Sequence, residues 1–85
     1  MIASKNKLSE KIDIEFGRAV TDLRKKLGLT QDELAFRSGI HRAYIGTIER
    51  GEKSPTLDTI KKLANGLGVT IFDILLYASS KSASN

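Results

Sequence analysis

Residues 31–50 read QDELAFRSGIHRAYIGTIER, and this stretch decides the fold. Thr30, just before it, stands three residues from Glu33, the spacing at which a hydroxyl caps a backbone N–H and a carboxylate reaches back to the capping residue. Asp32 and Glu33 add negative charge where a helix N-terminus is electropositive. A short helix over Gln31–Ser38 follows, with Leu34 and Ala35 on its buried face. Gly39 comes next, able to take the positive φ that reverses a chain. Ile40 lies in the turn, and Ile45 and Ile48 then recur at helical spacing in a segment that ends at Gly51. Ala35 is small where two helices cross closely, and the three isoleucines lock the second helix onto the first. The residues left over point outward: Arg42, Ala43, Tyr44, Gly46, Thr47 and Arg50.

Upstream, Ile12, Phe16, Val20, Leu23 and Leu27 follow steps of four, four, three and four, with Gly28 directly after. That spacing predicts an amphipathic helix from about Ser9 to Leu27. Downstream, Ser54, Pro55 and Thr56 open a helix over Leu57–Asn65 whose Leu57, Ile60, Leu63 and Ala64 face inward, and Gly66 and Gly68 are expected to break the chain. Thr70 and Asp73 form a second capping-box-like pair at the head of a last helix carrying Ile71, Phe72, Ile74, Leu75, Leu76, Tyr77 and Ala78. This helix is apolar nearly all round. One face satisfies a small core; Phe72 and Leu76, four residues apart, make a second stripe that would meet water in an isolated monomer and so predicts a partner surface, with Ile74 or Tyr77 nearby. Phe36 is expected to pack under a neighbouring loop. Met1–Lys7 and the small polar tail Ser79–Asn85 read as disordered, flexible ends, leaving an ordered core of about 8–78 in a single domain, 1–85.

A chain of 85 residues buries a modest core and seldom encloses a large substrate cavity. With no cysteine and one histidine, it has no disulfide, no cysteine-based zinc or iron-sulfur site and too few soft ligands for a transition metal, so neither a metal nor a cofactor is implied. Its scattered Ser, Asp, Glu and His41 form neither a nucleophile elbow nor a phosphate-cradling glycine loop, so an enzyme is not expected. No apolar run approaches the roughly 18 residues of a membrane span, and Met1–Lys7 lacks the apolar stretch of a signal peptide; a cytoplasmic protein is expected, with no membrane partner. A net charge of +4 and a sequence pI of about 9.6 suit a polyanionic partner. The basic excess is mostly N-terminal: Met1–Gly28 holds seven basic and four acidic residues, Leu29–Ser54 four of each. Lys5 and Lys7 read as a solvated terminus rather than an arm that tracks such a partner.

Two short helices joined by a glycine-containing turn, the second rich in exposed polar groups, form a helix-turn-helix. The stretches LRKKLGLTQDELAFRSGI, YIGTIERGEKSPTLDTIKKLANGLGV and IFDILL resemble the phage-repressor and Cro-like regulators, the XRE family, over nearly the whole chain. RAYIGTIERG is similar to the recognition helix of restriction-modification controller proteins. The resemblance implies an all-α, five-helix, lambda-repressor-like DNA-binding domain with its helix-turn-helix at 31–50. In that family the third helix lies in the major groove, and a homodimer binds a palindromic operator with half-sites about one helical turn apart. The implied partners are a double-stranded DNA operator in the bacterial nucleoid and a second copy of the chain, with RNA polymerase as a further candidate.

Carried over by position, the resemblance puts Arg42, Ala43 and Thr47 at base edges and Tyr44 between base and phosphate contact, unless it is a core-edge aromatic. A guanidinium at Arg42 grips guanine O6 and N7, while Ala43 offers a methyl-sized contact and leaves further specificity to Thr47 or to DNA bending. Gln31 corresponds to a phosphate contact at the N-terminus of helix 2, Arg50 and Lys53 to phosphate clamps, and Ser54 to an assisting hydroxyl. His41 is open between a phosphate contact and a plain turn residue. Arg24 and Glu49 correspond to a partly buried ion pair joining helix 1 to the end of helix 3. Phe72 and Leu76, with Ile74 and Tyr77, correspond to a dimer interface. The implied function is a transcriptional regulator controlling a restriction-modification operon; a phage-type repressor, or an antitoxin whose C-terminal helix binds a partner protein, would keep the same residues.

Overall fold

The computed structural model describes residues 7–83, and side chains through Lys81. Among the described residues are five helices and no strand: α1 (Lys7–Lys26), α2 (Gln31–Ser38), α3 (Arg42–Glu49), α4 (Leu57–Leu67) and α5 (Ile71–Ala83). Local chemistry sets several of their ends. The Thr30 hydroxyl accepts from the Glu33 N–H at 3.0 Å while the Glu33 carboxylate accepts from the Thr30 N–H at 2.8 Å, closing a capping box on α2. Thr70 and Asp73 repeat this at 3.0 and 2.8 Å at the head of α5. Thr56 caps α4 through the Thr59 N–H at 3.2 Å. Gly39 ends α2 with φ 73°, a left-handed conformation that only glycine adopts without steric cost.

α5 lies along α1 and α4 along α2, while α3 packs against both α1 and α2. Val20, Leu34, Ile45, Ile48, Leu63 and Ile74 are wholly buried where these helices meet. Each such side chain contributes about 1.5–3 kcal/mol by leaving water. Ile45 and Ile48 therefore hold the inner face of α3 down and leave its outer face to solvent.

Several sequence expectations change. α4 runs through Gly66 and stops only at Gly68. Gly66 does not break the helix; it is buried at the crossing with α2, where a Cβ would sit 2.9 Å from Ser38 Cβ and 3.1 Å from Leu34 Cδ1. Arg37 Nε donates to the Gly66 carbonyl at 2.8 Å across the same crossing. Lys7 and Ser79–Ala83, expected in disordered ends, are helical; the remainder of that expectation, Met1–Asn6 and Ser84–Asn85, lies outside the described residues, as does Lys5. Ile12, Leu27 and Leu57, expected to face inward, are exposed. Phe36 is 89% exposed. It stands on the outer side of α2 and packs under no loop.

α5 divides differently from its sequence pattern. Ile74 is wholly buried in the core, so it supports the helix from beneath and cannot itself present to a partner. Tyr77 turns toward α1: its hydroxyl donates to Asp22 at 3.2 Å, and the Lys26 ammonium lies 4.7 Å from its ring centroid. The outward stripe consists of Phe72, 77% exposed, and Leu76, 70% exposed, with Leu75 beside them.

Candidate DNA-recognition face

A buried strut anchors the back of α3. Arg24 on α1 reaches the Glu49 carboxylate with two donors, Nε at 2.7 Å and Nη2 at 3.0 Å, and its Nη1 donates to the Leu29 carbonyl at 2.8 Å. The two side chains are only 10% and 6% exposed. Burial alone would raise the Glu49 carboxyl, but hydrogen bonds from Arg24 and Gln31 and the adjacent guanidinium charge hold it below the usual carboxylate range. The Arg24 guanidinium is correspondingly shifted up by the Glu49 hydrogen bond. Gln31, the first residue of α2, donates its amide to Glu49 at 2.9 Å. One carboxylate thus gathers α1, α2 and the C-terminus of α3.

The outer face of α3 carries most of the sequence-proposed contacts. His41 occupies the N-cap position but makes no side-chain capping bond and is exposed. Arg42 and Ala43 are exposed in the first turn. The Arg42 guanidinium lies 3.6 Å from the Asp32 carboxylate, an exposed and loose contact that leaves its hydrogen-bonding edge available. Thr47 is half-buried, and its hydroxyl donates back to the Ala43 carbonyl at 3.1 Å. It therefore offers an acceptor lone pair and a methyl outward. Tyr44 is half-buried against the core and lines a groove of about 300 Å³ with Ile40, His41, Thr59 and Lys62, on the α4 side of the face.

Past α3, the chain turns at Gly51 with the Glu52 N–H bonded to the Thr47 carbonyl at 3.1 Å and the Gly51 N–H to Ile48 at 3.0 Å, a Schellman closure. The turn sets Arg50 beside Glu52, whose carboxylate accepts from Nε at 2.9 Å and Nη2 at 3.2 Å. That hydrogen bond shifts the Arg50 guanidinium up and the Glu52 carboxyl down. Lys53 is exposed in the same loop. Ser54 departs from its proposed role: its hydroxyl lies 2.7 Å from both oxygens of the buried Asp13 carboxylate. A hydroxyl has one proton, and with that proton on a carboxylate Ser54 has no donor for a phosphate. It ties the α3–α4 loop to α1 instead.

An exposed α3 held by its buried face against α2, across a glycine turn, is a helix presented for docking. The helix-turn-helix family model matches residues 20–74. The chain belongs to this family. It is a DNA-binding transcriptional regulator. Among curated relatives it is 39% identical over 69 residues to control protein C.BamHI of Bacillus amyloliquefaciens, covering 80% of this chain and 85% of that one. It is 34% identical over 64 residues to control protein C.MunI of a Mycoplasma species, covering 74% and 86%. The crystal structure of the restriction-modification controller protein C.AhdI from Aeromonas hydrophila superposes with a TM-score of 0.71 at 39% identity, covering 73% of this chain and 94% of that chain.

In this helix-turn-helix regulator the structure brings Gln31, Arg42, Ala43, Thr47, Arg50 and Lys53 to the α2–α3 side and the loop beyond it. Ile74, Tyr77 and Ser54 are drawn inward or sideways. Two acidic groups that shape the face had not been singled out from sequence. Glu52 is two residues from Arg50 across a glycine, a spacing that could have suggested the pair. Asp13 lies 41 positions from Ser54 and has no local signal.

Proposed function

We propose that this regulator acts as a homodimer on a two-fold symmetric operator and controls a restriction-modification operon. Its similarity to control proteins over most of the chain supports the operon class. The observation that carries the reading is the outer face of α3: Arg42 exposed in the first turn, above a helix whose Ile45 and Ile48 are wholly buried. Arg42 reads guanine through O6 and N7. Ala43 contacts an apolar base edge, and Thr47, its proton committed to the Ala43 carbonyl, accepts from an exocyclic amine or meets a thymine methyl. Tyr44 and His41 flank these contacts from the α4 side. Arg50 and Lys53 donate to phosphates as cations and Gln31 as a neutral amide, supplying affinity without sequence preference.

Dimerisation runs through Phe72 and Leu76, whose exposure on one stripe of α5 is what an isologous apolar interface requires. The regulator resides in the cytoplasm at the nucleoid, where its ligand is; no single described helix is long and apolar enough to cross a membrane. Selection of bound sites from random duplex DNA tests the whole reading. Enriched inverted repeats with half-sites about one turn apart are expected. Recovery of sites with no symmetry, or of no sites, would overturn it.

A further inference from the structure

Gly46, near the middle of α3, is buried although α3 turns its outer face to solvent. What covers it is the far end of Arg50. A Cβ built on Gly46 would lie 3.1 Å from Arg50 Nη1, and Gln31 Nε2 is 3.9 Å from the same point. The missing side chain makes a notch in which the guanidinium seats, folded back along its own helix, beside the amide of the first residue of α2.

Both groups are held from behind by carboxylates. Glu52 accepts from Nε and Nη2 of Arg50, and Glu49 accepts from Nε2 of Gln31. A guanidinium has five N–H donors and a carboxamide two. Two of Arg50's and one of Gln31's are engaged, leaving the Nη1–Nη2 edge of Arg50 and one amide proton of Gln31. These remaining donors belong to groups that lie within 4 Å of one point and whose rotamers are already set. Preset donors lose less freedom on binding, and the end-on edge of a guanidinium matches two oxygens of a tetrahedral anion.

We propose that Gly46, Arg50 and Gln31 form a single composite site for one DNA backbone phosphate, with Gly46 the residue that creates it and Glu52 the positioning residue for Arg50. The site rests on the DNA-binding reading above and adds to it that the two phosphate contacts are one, and that a residue without a side chain governs them. Its net charge is low, since Glu52 offsets Arg50, so it contributes register more than long-range attraction.

The test is a cycle of Gly46→Ala and Arg50→Ala, with binding to a random-sequence duplex measured by anisotropy at several salt concentrations, at a temperature where every variant is folded. The added methyl displaces only the flexible end of Arg50, and alanine is the better helix former, so Gly46→Ala is expected to melt at or above the temperature of the unsubstituted chain. Its affinity at low salt is expected to fall roughly three- to tenfold, with the salt slope little changed because Glu52 offsets the Arg50 charge in both proteins. In the Arg50→Ala background, Gly46→Ala is expected to cause no further loss. Unchanged affinity in the single variant, or an equal loss in both backgrounds, would overturn the composite site. Failure of the unsubstituted chain to bind any duplex would instead overturn DNA binding, and the site with it.

Discussion

Replacing Glu49 by Gln removes one negative charge and almost no volume from the strut behind α3. The carboxylate receives donors from Arg24 at 2.7 and 3.0 Å and from Gln31 at 2.9 Å. In the variant an amide nitrogen faces one of these donors, and the Arg24 guanidinium, on a side chain 10% exposed, keeps one neutral amide oxygen and the Leu29 carbonyl in place of a carboxylate. Breaking a buried pair by removing one member costs about 3–5 kcal/mol, and the neutral acceptor that remains places this variant at the lower end, about 3 kcal/mol. A domain of this size has a total stability of only about 4–13 kcal/mol. A loss of about 3 kcal/mol lowers its melting temperature by about 12–24 °C. Thermal melting followed by far-UV circular dichroism at neutral pH measures this directly. The folded-state carboxyl is held below its unfolded value of about 4.3, so its contribution is full above that pH and is lost as pH falls through the folded value. The gap between wild type and Glu49→Gln is therefore expected to close on acidification. A shift under about 4 °C at neutral pH, or a gap that widens in acid, would refute the account of the strut.

Arg42→Ala is expected to cost about 1–3 kcal/mol on a selected operator and to relax preference at one position of each half-site, measured by gel shift against point-substituted sites; equal affinity for all of them removes Arg42 from direct readout. Phe72→Glu with Leu76→Glu is expected to give a folded monomer by light scattering, since both side chains are solvent-exposed within the chain; an unchanged dimer moves the interface elsewhere. Ser54→Ala is expected to leave the affinity for duplex DNA unchanged, at a temperature where the variant is folded, while lowering stability by about 1 kcal/mol through loss of the Asp13 bond; an affinity loss of about 1 kcal/mol would restore Ser54 to the phosphate contacts.

Features governed by neighbours within a few residues were legible from the sequence alone. Thr30 with Glu33, Thr70 with Asp73, and Gly39 after Ser38 each act within one turn of backbone, so their spacing states the cap or the reversal before any tertiary contact forms. The period of Leu34, Ile45 and Ile48 likewise told which face of the α2–α3 pair would be buried. Tertiary structure decided whatever depended on residues far away in the chain. Gly66 reads as a breaker until α2 is seen to cross there, and Phe36 reads as packed under a loop until no element is found above it. Apolar character told that Ile74 and Tyr77 prefer cover but not whether their own chain supplies it. Polar side chains were the least legible, because a donor's availability depends on where its proton already goes. Ser54 is committed to an aspartate 41 residues away and Gln31 to a glutamate 18 residues on, and only folding brings those acceptors within reach.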